Sequence, residues 1–174
     1  MTPSIVCLDA CHCPIPQFSH AFPHTYVEYE NTPSDIVLPR VKDAAIIITT
    51  RVPLTAATVA QCPQLRHVAI MAAGTDVVDL AACKRHGISV SRVAAASSEA
   101  VAEHAIAFFL AVKRHIIRLH ELTMAGTEWP RMGSMVGEFH GLPKPCSQQT
   151  LGLIGYGNLG GLLVHSINLK CHRS

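Results

Sequence analysis

Short apolar runs alternate with helix-like segments along the first half of the chain. Five of these runs predict β-strands, at residues 5–8, 25–29, 44–49, 66–71 and 88–93. The run at 44–49 is continuous and rich in isoleucine, which is typical of a parallel strand buried on both faces. Because helix signals separate consecutive strands, the pattern predicts a parallel sheet built from βαβ units, and therefore an α/β fold.

Two short helices are marked by the residues at their ends. Thr55 lies where a helix N-cap is expected, and Cys62-Pro63 marks the end of that helix. Asp79 lies at a second N-cap position, basic residues fill the last turn, and Gly87 follows as the stop. An acidic start, a basic end and a glycine stop match the helix dipole and the usual capping arrangement.

A much longer helix is predicted from Ser97 or Ser98 to about Leu122, which is roughly 35 Å at the standard rise per residue. Its middle, residues 105–112, is apolar on every side, so we expect it to be buried within a domain or against a partner. Residues 123–149 contain three prolines and four glycines without a clear period, and they predict an irregular connection.

A glycine motif follows an apolar run near the end of the chain. Residues 150–154 predict a strand, and the motif after it is Gly155, Tyr156, Gly157, Asn158, Leu159 and Gly160. In a dinucleotide site the first glycine makes a tight turn, the second admits the pyrophosphate, and the third lets the next helix pack closely. The pattern therefore predicts a dinucleotide-binding loop, while a glycine-rich turn without a ligand remains the alternative.

The composition narrows the class of protein. Of 174 residues, 49% are hydrophobic and only 15% are charged, which allows a real core and excludes intrinsic disorder. A formal charge of +2 is too small to favour nucleic acid or an anionic membrane as a partner. The longest uncharged apolar stretch, 105–112, is too short to span a bilayer. The length suits one domain and a fraction of a second.

The cysteines and the N-terminus indicate the compartment. Residues 1–4 lack the basic start of a secretory signal, and Asp9 interrupts the short apolar run that follows. The seven cysteines form an odd and scattered set, which fits reduced thiols better than a disulfide framework. We therefore expect a cytoplasmic protein.

A candidate metal site lies in the N-terminal region. Cys11-His12-Cys13, with Cys7, His20 and His24, brings metal-ligating side chains close together in sequence. Zinc sites favour ligand pairs separated by two to four residues, which a C-x-C sequence beside prolines does not provide. An ordinary loop is favoured, and no metal is predicted.

The turn 72–76 with Asp79-Leu80, the segment 98–105 and the glycine motif 155–160 follow one another in this order. Together they resemble three stretches of the N-terminal half of the D-isomer-specific 2-hydroxyacid dehydrogenases, the family of glycerate, formate and phosphoglycerate dehydrogenases. Order and spacing agree from about residue 44 to residue 161. The resemblance implies a flavodoxin-like substrate domain over residues 1–96, followed by the start of a Rossmann-type NAD(P)-binding domain over residues 97–174.

The resemblance also implies a chemistry. In the family, hydride passes between a small 2-hydroxy or 2-oxo acid and NAD or NADP. The family's turn receives the substrate carboxylate on backbone amides, which here implies Ala73, Gly74 and Thr75. The long helix, residues 98–122, implies a homodimer.

The family's catalytic residues have no counterpart in this sequence. In the family an Arg, an acid and a His follow the glycine motif, and the matching positions would lie beyond Ser174. No catalytic residue is therefore predicted within the 174 residues. His104, which stands beside an acidic residue, is implied to be structural on a buried helix.

The chain also departs from the family's pattern. Residues 92–96 lack the Asn and Pro that usually precede the long helix, and residues 162–174 fit the family's next helix and strand poorly. We therefore expect a truncated form, produced by a change of frame or splicing near Gly161 and inactive alone. Two alternatives stay open: a non-catalytic fragment that dimerises with and regulates a full-length homologue, or a product without function.

Overall fold

The computed structural model describes residues 2–12, 22–139 and 141–171. The chain forms two compact units, residues 1–96 and residues 97–174. The two are called the first and the second unit below.

A five-stranded parallel sheet organises the first unit. Its strands are β1 (Ser4–Cys7), β2 (Thr25–Glu28), β3 (Ile46–Thr49), β4 (His67–Ile70) and β5 (Ser89–Arg92). They lie in the order β2-β1-β3-β4-β5, and Ile47 of β3 pairs with Val6 on one side and Val68 on the other. This is the strand order of flavodoxin-like folds. The five strand predictions and the predicted fold class are confirmed.

Three short helices connect strands of this sheet: α1 (Val37–Val41), α2 (Ala56–Ala60) and α3 (Leu80–Arg85). The predicted caps are confirmed, since Thr55 Oγ1 accepts a hydrogen bond from Thr58 N at 3.2 Å and Asp79 Oδ1 accepts one from Ala82 N at 2.8 Å. Gly87 follows α3 with a φ of 70°, which lies in the left-handed region. The sequence did not indicate α1.

The main core lies on one face of the sheet. Val6, Ile47 and Val68 share a single cluster with residues from all three helices, such as Val41 of α1 and Val59 of α2. The β2–β3, β3–β4 and β4–β5 connections all advance in the same direction across the sheet, so right-handed crossovers place their helices on the same face. A smaller cluster of Ile5, Cys7 and Ile48 lies on the other face.

Helices dominate the second unit. They are α4 (Ser98–Lys113), α5 (Ile116–Ala125), α6 (Glu128–Met132) and α7 (Asn158–Cys171), and α7 packs against α4. The prediction of one continuous helix to about Leu122 is wrong, because the chain breaks between α4 and α5. There His115 adopts a left-handed φ of 53°, and its ring stacks on Phe139 at a centroid distance of 4.3 Å.

The apolar middle of α4 is more exposed than expected. The helix buries Ala102 and Ile106, whereas Phe108 is 52% and Val112 is 68% exposed. The expectation of burial within a domain is therefore wrong, since one packed helix covers only one stripe of α4, and burial against a partner stays a prediction. The prediction of an irregular connection over residues 123–149 is only partly right, because α5 extends to Ala125 and the segment also contains α6 and two 3₁₀ turns, Val136–Phe139 and Cys146–Gln148.

One expectation about the end of the chain is also wrong. Residues 150–154 form no strand, and Ile154 is fully exposed. A strand needs a neighbour for its backbone groups, and the described part of the second unit contains no other strand. Residues 162–171, which fit the family's next helix and strand poorly in sequence, continue α7 to Cys171. Within the described residues, none of the helices combines the length and apolarity needed to cross a membrane.

Candidate functional site

The loops of the first candidate site lie together at the carboxyl edge of the parallel sheet. Ligands of open parallel sheets bind beyond the carboxyl ends of the strands, where successive loops approach one another. Asp9 lies two residues after β1, Thr50–Val52 follow β3, and the turn 72–76 follows β4. All three therefore lie at the same edge of one sheet.

A buried carboxylate fixes the loop after β3. Asp9 is only 1% exposed, and its Oδ1 accepts a hydrogen bond from Thr50 N at 2.8 Å. Its Oδ2 accepts from Arg51 N at 2.6 Å and from Val52 N at 3.3 Å. Carboxylate acceptors make stronger hydrogen bonds than neutral ones, so Asp9 holds this loop in one conformation. No pattern in the sequence indicated this role.

The turn after β4 is anchored on both sides. The carbonyl of Ala72 accepts from Val93 N at 3.1 Å, and that of Ala73 accepts from the Arg92 guanidinium. Just beyond the turn, Leu54 N donates to Val77 O at 2.7 Å. The chain on either side of residues 73–75 is therefore held by backbone hydrogen bonds, which leaves the three residues at a defined place on the sheet edge.

The amides of this turn are available to a ligand. Within the described residues, the backbone N–H groups of Ala73, Gly74 and Thr75 donate to no protein acceptor. Ala73 and Gly74 are exposed and Thr75 is half-buried. A Cβ on Gly74 would lie 3.2 Å from Asp76 Oδ2, so the absence of a side chain keeps the turn compact. Free amides beside the Arg92 guanidinium form a surface that suits a carboxylate.

The glycine motif forms a tight turn into α7. Gly155 has a φ of 95°, a conformation that glycine adopts without strain. A Cβ on Gly160 would lie 2.5 Å from the carbonyl oxygen of Gly155, which is too close for any other residue. The first turn of α7 therefore packs directly on the loop that precedes it, and this requires glycine at position 160.

The start of α7 offers donors to an anion. The helix begins with a hydrogen bond from Gly161 N to Gly157 O at 2.9 Å, and the amides of Asn158, Leu159 and Gly160 have no acceptor within the described residues. Asn158 Nδ2 donates instead to Ser98 Oγ at 3.1 Å, which fixes the start of α7 against α4. Free amides at a helix N-terminus, close behind a glycine turn, fit a pyrophosphate group. Tyr156 is exposed beside them.

A three-ligand metal cluster does not accompany the two loops among the described residues. That part of the chain contains no group of three His, Cys, Asp or Glu side chains suited to a metal. Cys13 and His20 of the considered loop lie outside the described residues. His104 is exposed rather than buried, which corrects the expectation for it, and its ring meets Phe108 edge-on at 4.6 Å.

The expected position of the catalytic residues lies outside the structure. The family's Arg, acid and His were expected beyond Ser174, and the described residues end at Cys171. That expectation therefore stays a prediction. The residues that can be placed belong to the two loops, whose backbone amides have no acceptor within the described residues.

Comparison with known proteins gives the family. Residues 5–159 match the model of the D-isomer specific 2-hydroxyacid dehydrogenase catalytic domain. A glycerate dehydrogenase of Methylorubrum extorquens is 36% identical over 92% of this chain and 51% of its own. A putative 2-hydroxyacid dehydrogenase of Haemophilus influenzae is also 36% identical, over 95% of this chain and 54% of its own. The chain thus spans about half the length of these relatives.

Solved structures agree on the fold. A D-lactate dehydrogenase from Aquifex aeolicus, complexed with NAD and lactic acid, superposes with a TM-score of 0.76 at 21% identity. The match covers 97% of this chain and 49% of that one. An NADPH-dependent glyoxylate/hydroxypyruvate reductase from Sinorhizobium meliloti gives 0.72 at 22% identity, over 98% of this chain and 51% of the other. The family model matches most of the chain, and both bacterial relatives are 36% identical to it. These findings show that the chain belongs to the D-isomer-specific 2-hydroxyacid dehydrogenases.

Proposed function

We propose that this chain supplies the substrate-carboxylate turn and the cofactor-pyrophosphate loop of an NAD(P)-dependent oxidoreductase acting on a small 2-hydroxy acid. One observation carries the proposal: two separate sets of free backbone amides, at Ala73–Thr75 and at Asn158–Gly160, lie in a chain of this family. Residues 1–96 would form the substrate domain and residues 97–174 the beginning of the NAD(P)-binding domain.

Each loop has a defined task in this proposal. The amides of Gly74 and Thr75, with the Arg92 guanidinium nearby, hold and orient the carboxylate of the acid. The amides at the start of α7 hold the pyrophosphate, and Gly155 and Gly160 keep the space beside them open. A cofactor held there would supply the hydride acceptor for oxidation of the CH–OH carbon, and the hydroxyl proton would pass to a base that follows the motif in the family.

We propose that the 174 residues alone do not turn over substrate. The family positions for the carboxylate-binding Arg, the acid and the proton-transferring His follow the glycine motif, and no residue here matches them. Loss of general acid–base catalysis alone lowers a rate by about 10²–10⁴. The chain alone therefore gives no measurable oxidation, which would require the residues that follow the motif in its relatives, and without the family's carboxylate-binding Arg it binds the acid weakly.

An NMR titration tests the proposal on the chain as it stands. D-glycerate should shift the amide resonances of Gly74 and Thr75, and NADH should shift those of Leu159 and Gly160, without saturating below millimolar concentration. Gly160→Ala should abolish the NADH shifts and leave the glycerate shifts unchanged. Saturable sub-millimolar NADH binding would contradict weak binding, and shifts elsewhere in the chain would contradict the assignment of the two loops.

A second candidate function is regulation of a full-length homologue through the region 98–122. Exposed apolar side chains favour it: Phe108, Val112, Ile116 and Ile117 are each more than half exposed. The same surface supports a homodimer. Light scattering should show a dimer of this chain, and co-expression with a full-length homologue should give a mixed dimer. A soluble monomer in both experiments would exclude both forms of assembly, and insolubility would favour a product without function.

The cytoplasm is the compartment that we propose. The five described cysteines, Cys7, Cys11, Cys62, Cys83 and Cys146, are all unpaired. Free thiols are typical of a reducing compartment. A fluorescent fusion that is distributed through the cytoplasm would support the proposal, whereas enrichment in an organelle would contradict it.

A further inference from the structure

Two reactive side chains of the second unit meet outside the residues assigned to either loop. Lys113 is the last residue of α4, and Cys146 begins a single helical turn over Cys146–Gln148. The ammonium Nζ of Lys113 donates to the sulfur of Cys146 at 3.3 Å. An amine and a thiol, two nucleophilic groups, are therefore in contact although they are 33 residues apart in sequence.

The lysine is positioned for this contact and not for an ion pair. Its Nζ lies 5.8 Å from the centroid of the Phe109 ring, within the range of a cation–π interaction. In the part of the chain that the structure describes, the ion pairs involve Arg118 and Arg131, and no carboxylate pairs with Lys113. The ring and the sulfur are thus the described groups that fix the amine.

The other described cysteines are less suited to oxidation. Cys7, Cys62 and Cys83 are buried, and burial raises the pKa of each thiol, which keeps the sulfur protonated and weakly nucleophilic. Cys11 is exposed, but no amine contacts it among the described residues. Cys146 is partly exposed and has the lysine beside it.

Small oxidants can reach this pair. Lys113 lines an open groove of about 520 Å³ together with Phe109, Val112 and Gln149. The groove is far larger than a molecule of hydrogen peroxide, and Cys146, a partly exposed residue, contacts the lysine that lines it.

We propose that oxidation of Cys146 by a peroxide ties it covalently to Lys113. In the first step the thiol takes one oxygen from hydrogen peroxide, which gives a sulfenic acid and releases water. In the second step the Lys113 ammonium first releases a proton to solvent, and the free amine attacks that sulfur, so that an S–N bond forms and the S–O bond breaks. The departing hydroxyl takes a second proton from the nitrogen and leaves as water. The product is a sulfenamide, and a dithiol reduces it back to the free amine and thiol.

The tie joins the end of α4 to the segment that leads into the glycine motif. Cys146 precedes Gly155 by nine residues, and residues 149–157 lie outside regular structure. A covalent link at Cys146 restricts the conformations open to this segment. Peroxide therefore places the chain before the motif under redox control.

Mass spectrometry of the full chain tests the proposal. After treatment with hydrogen peroxide and digestion with trypsin, a peptide containing Lys113 should be joined to one containing Cys146. Its mass should be lower by about 2 Da than the sum of the two free peptides, because two hydrogens are lost overall. Dithiothreitol should release both peptides, and cleavage after Lys113 should return.

Variants separate the proposed link from other oxidation products. Cys146→Ser and Lys113→Arg should both abolish the joined peptide, whereas the matched control Cys11→Ser should retain it. Oxidation of Cys146 straight to a sulfinic acid or to a disulfide, with Lys113 left free, would overturn the proposal. The unmodified chain decides the matter even if a variant does not fold, because the fragment spectrum locates the joined residues.

Discussion

Removal of the Asp9 carboxylate should destabilise the first unit by an amount that the hydrogen bonds predict. Asp9 is buried and accepts from Thr50 N and Arg51 N at 2.8 and 2.6 Å, with a longer contact to Val52 N. Val52 N has a second acceptor in Thr49 Oγ1 at 3.1 Å. The substitution Asp9→Ala therefore leaves two amides without a partner.

The size of the effect follows from those two bonds. A hydrogen bond to a charged group contributes about 1.5–3 kcal/mol, so Asp9→Ala should lower the free energy of unfolding by about 3 kcal/mol or more. Asp9→Asn keeps one acceptor oxygen and places an NH₂ group against the other amide. It should therefore cost about 2 kcal/mol.

Urea unfolding followed by circular dichroism measures both variants. With a slope of about 2 kcal/mol per molar, the midpoint should fall by about 1.5 M for alanine and about 1 M for asparagine. Asp35→Asn is the matched control, because Asp35 is exposed and its side chain makes no hydrogen bond within the described residues. A shift below about 0.5 M for Asp9→Ala, or an equal shift in the control, would refute the assigned role.

Two further substitutions, at Gly160 and Asp79, and one change of pH give clear expectations for stability and exchange. Gly160→Ala should delay the start of α7, because its Cβ would meet the Gly155 carbonyl at 2.5 Å, and hydrogen exchange at residues 159–162 should become faster. Asp79→Ala removes the cap on Ala82 N and should cost about 1 kcal/mol in urea unfolding, whereas Asp79→Asn should cost much less. Burial raises the pKa of the Cys83 thiol, so as the pH rises this thiol loses its proton in the unfolded chain before it does so in the folded chain. Stability should be complete below about pH 8.5 and should fall as the pH rises above it. Urea midpoints between pH 7.5 and 10 measure that decline, which should be shallower in Cys83→Ala; an unchanged slope would exclude the thiol as a cause.

The sequence predicted those parts of the fold whose causes are local. The isoleucine run of β3 and the caps Thr55 and Asp79 need only their neighbours in sequence, and each was found where expected. The role of Asp9 depends on amides more than 40 residues away, so no local pattern indicates it. The break at His115 is similar, since apolar periodicity continues across a residue that adopts a left-handed conformation.

The apolar run before the glycine motif also distinguishes local causes of structure from causes that are distant in sequence. Ile47 in β3 is fully buried because β1 and β4 flank it and helices cover its face. Leu151, Leu153 and Ile154 have equally apolar side chains, but they are 49%, 40% and 104% exposed. The difference is the neighbouring strands, which the described part of the second unit does not contain. The glycine turn and the start of α7 form nevertheless, because their interactions are local.

Because only the local part of the proposed cofactor site forms, the structure predicts how tightly the second unit would bind its ligands. The amides at the start of α7 can hold a pyrophosphate, but the described residues build no strand-lined groove for the adenosine and nicotinamide parts of the cofactor. NADH and inorganic pyrophosphate should therefore bind this chain with dissociation constants within about tenfold of each other, a difference of about 1.4 kcal/mol. Competition between them, followed by the amide resonance of Gly160, measures the ratio. Binding of NADH more than about a hundredfold tighter than pyrophosphate would show that the chain builds the rest of the cofactor site, and the local account of the loop would then be wrong.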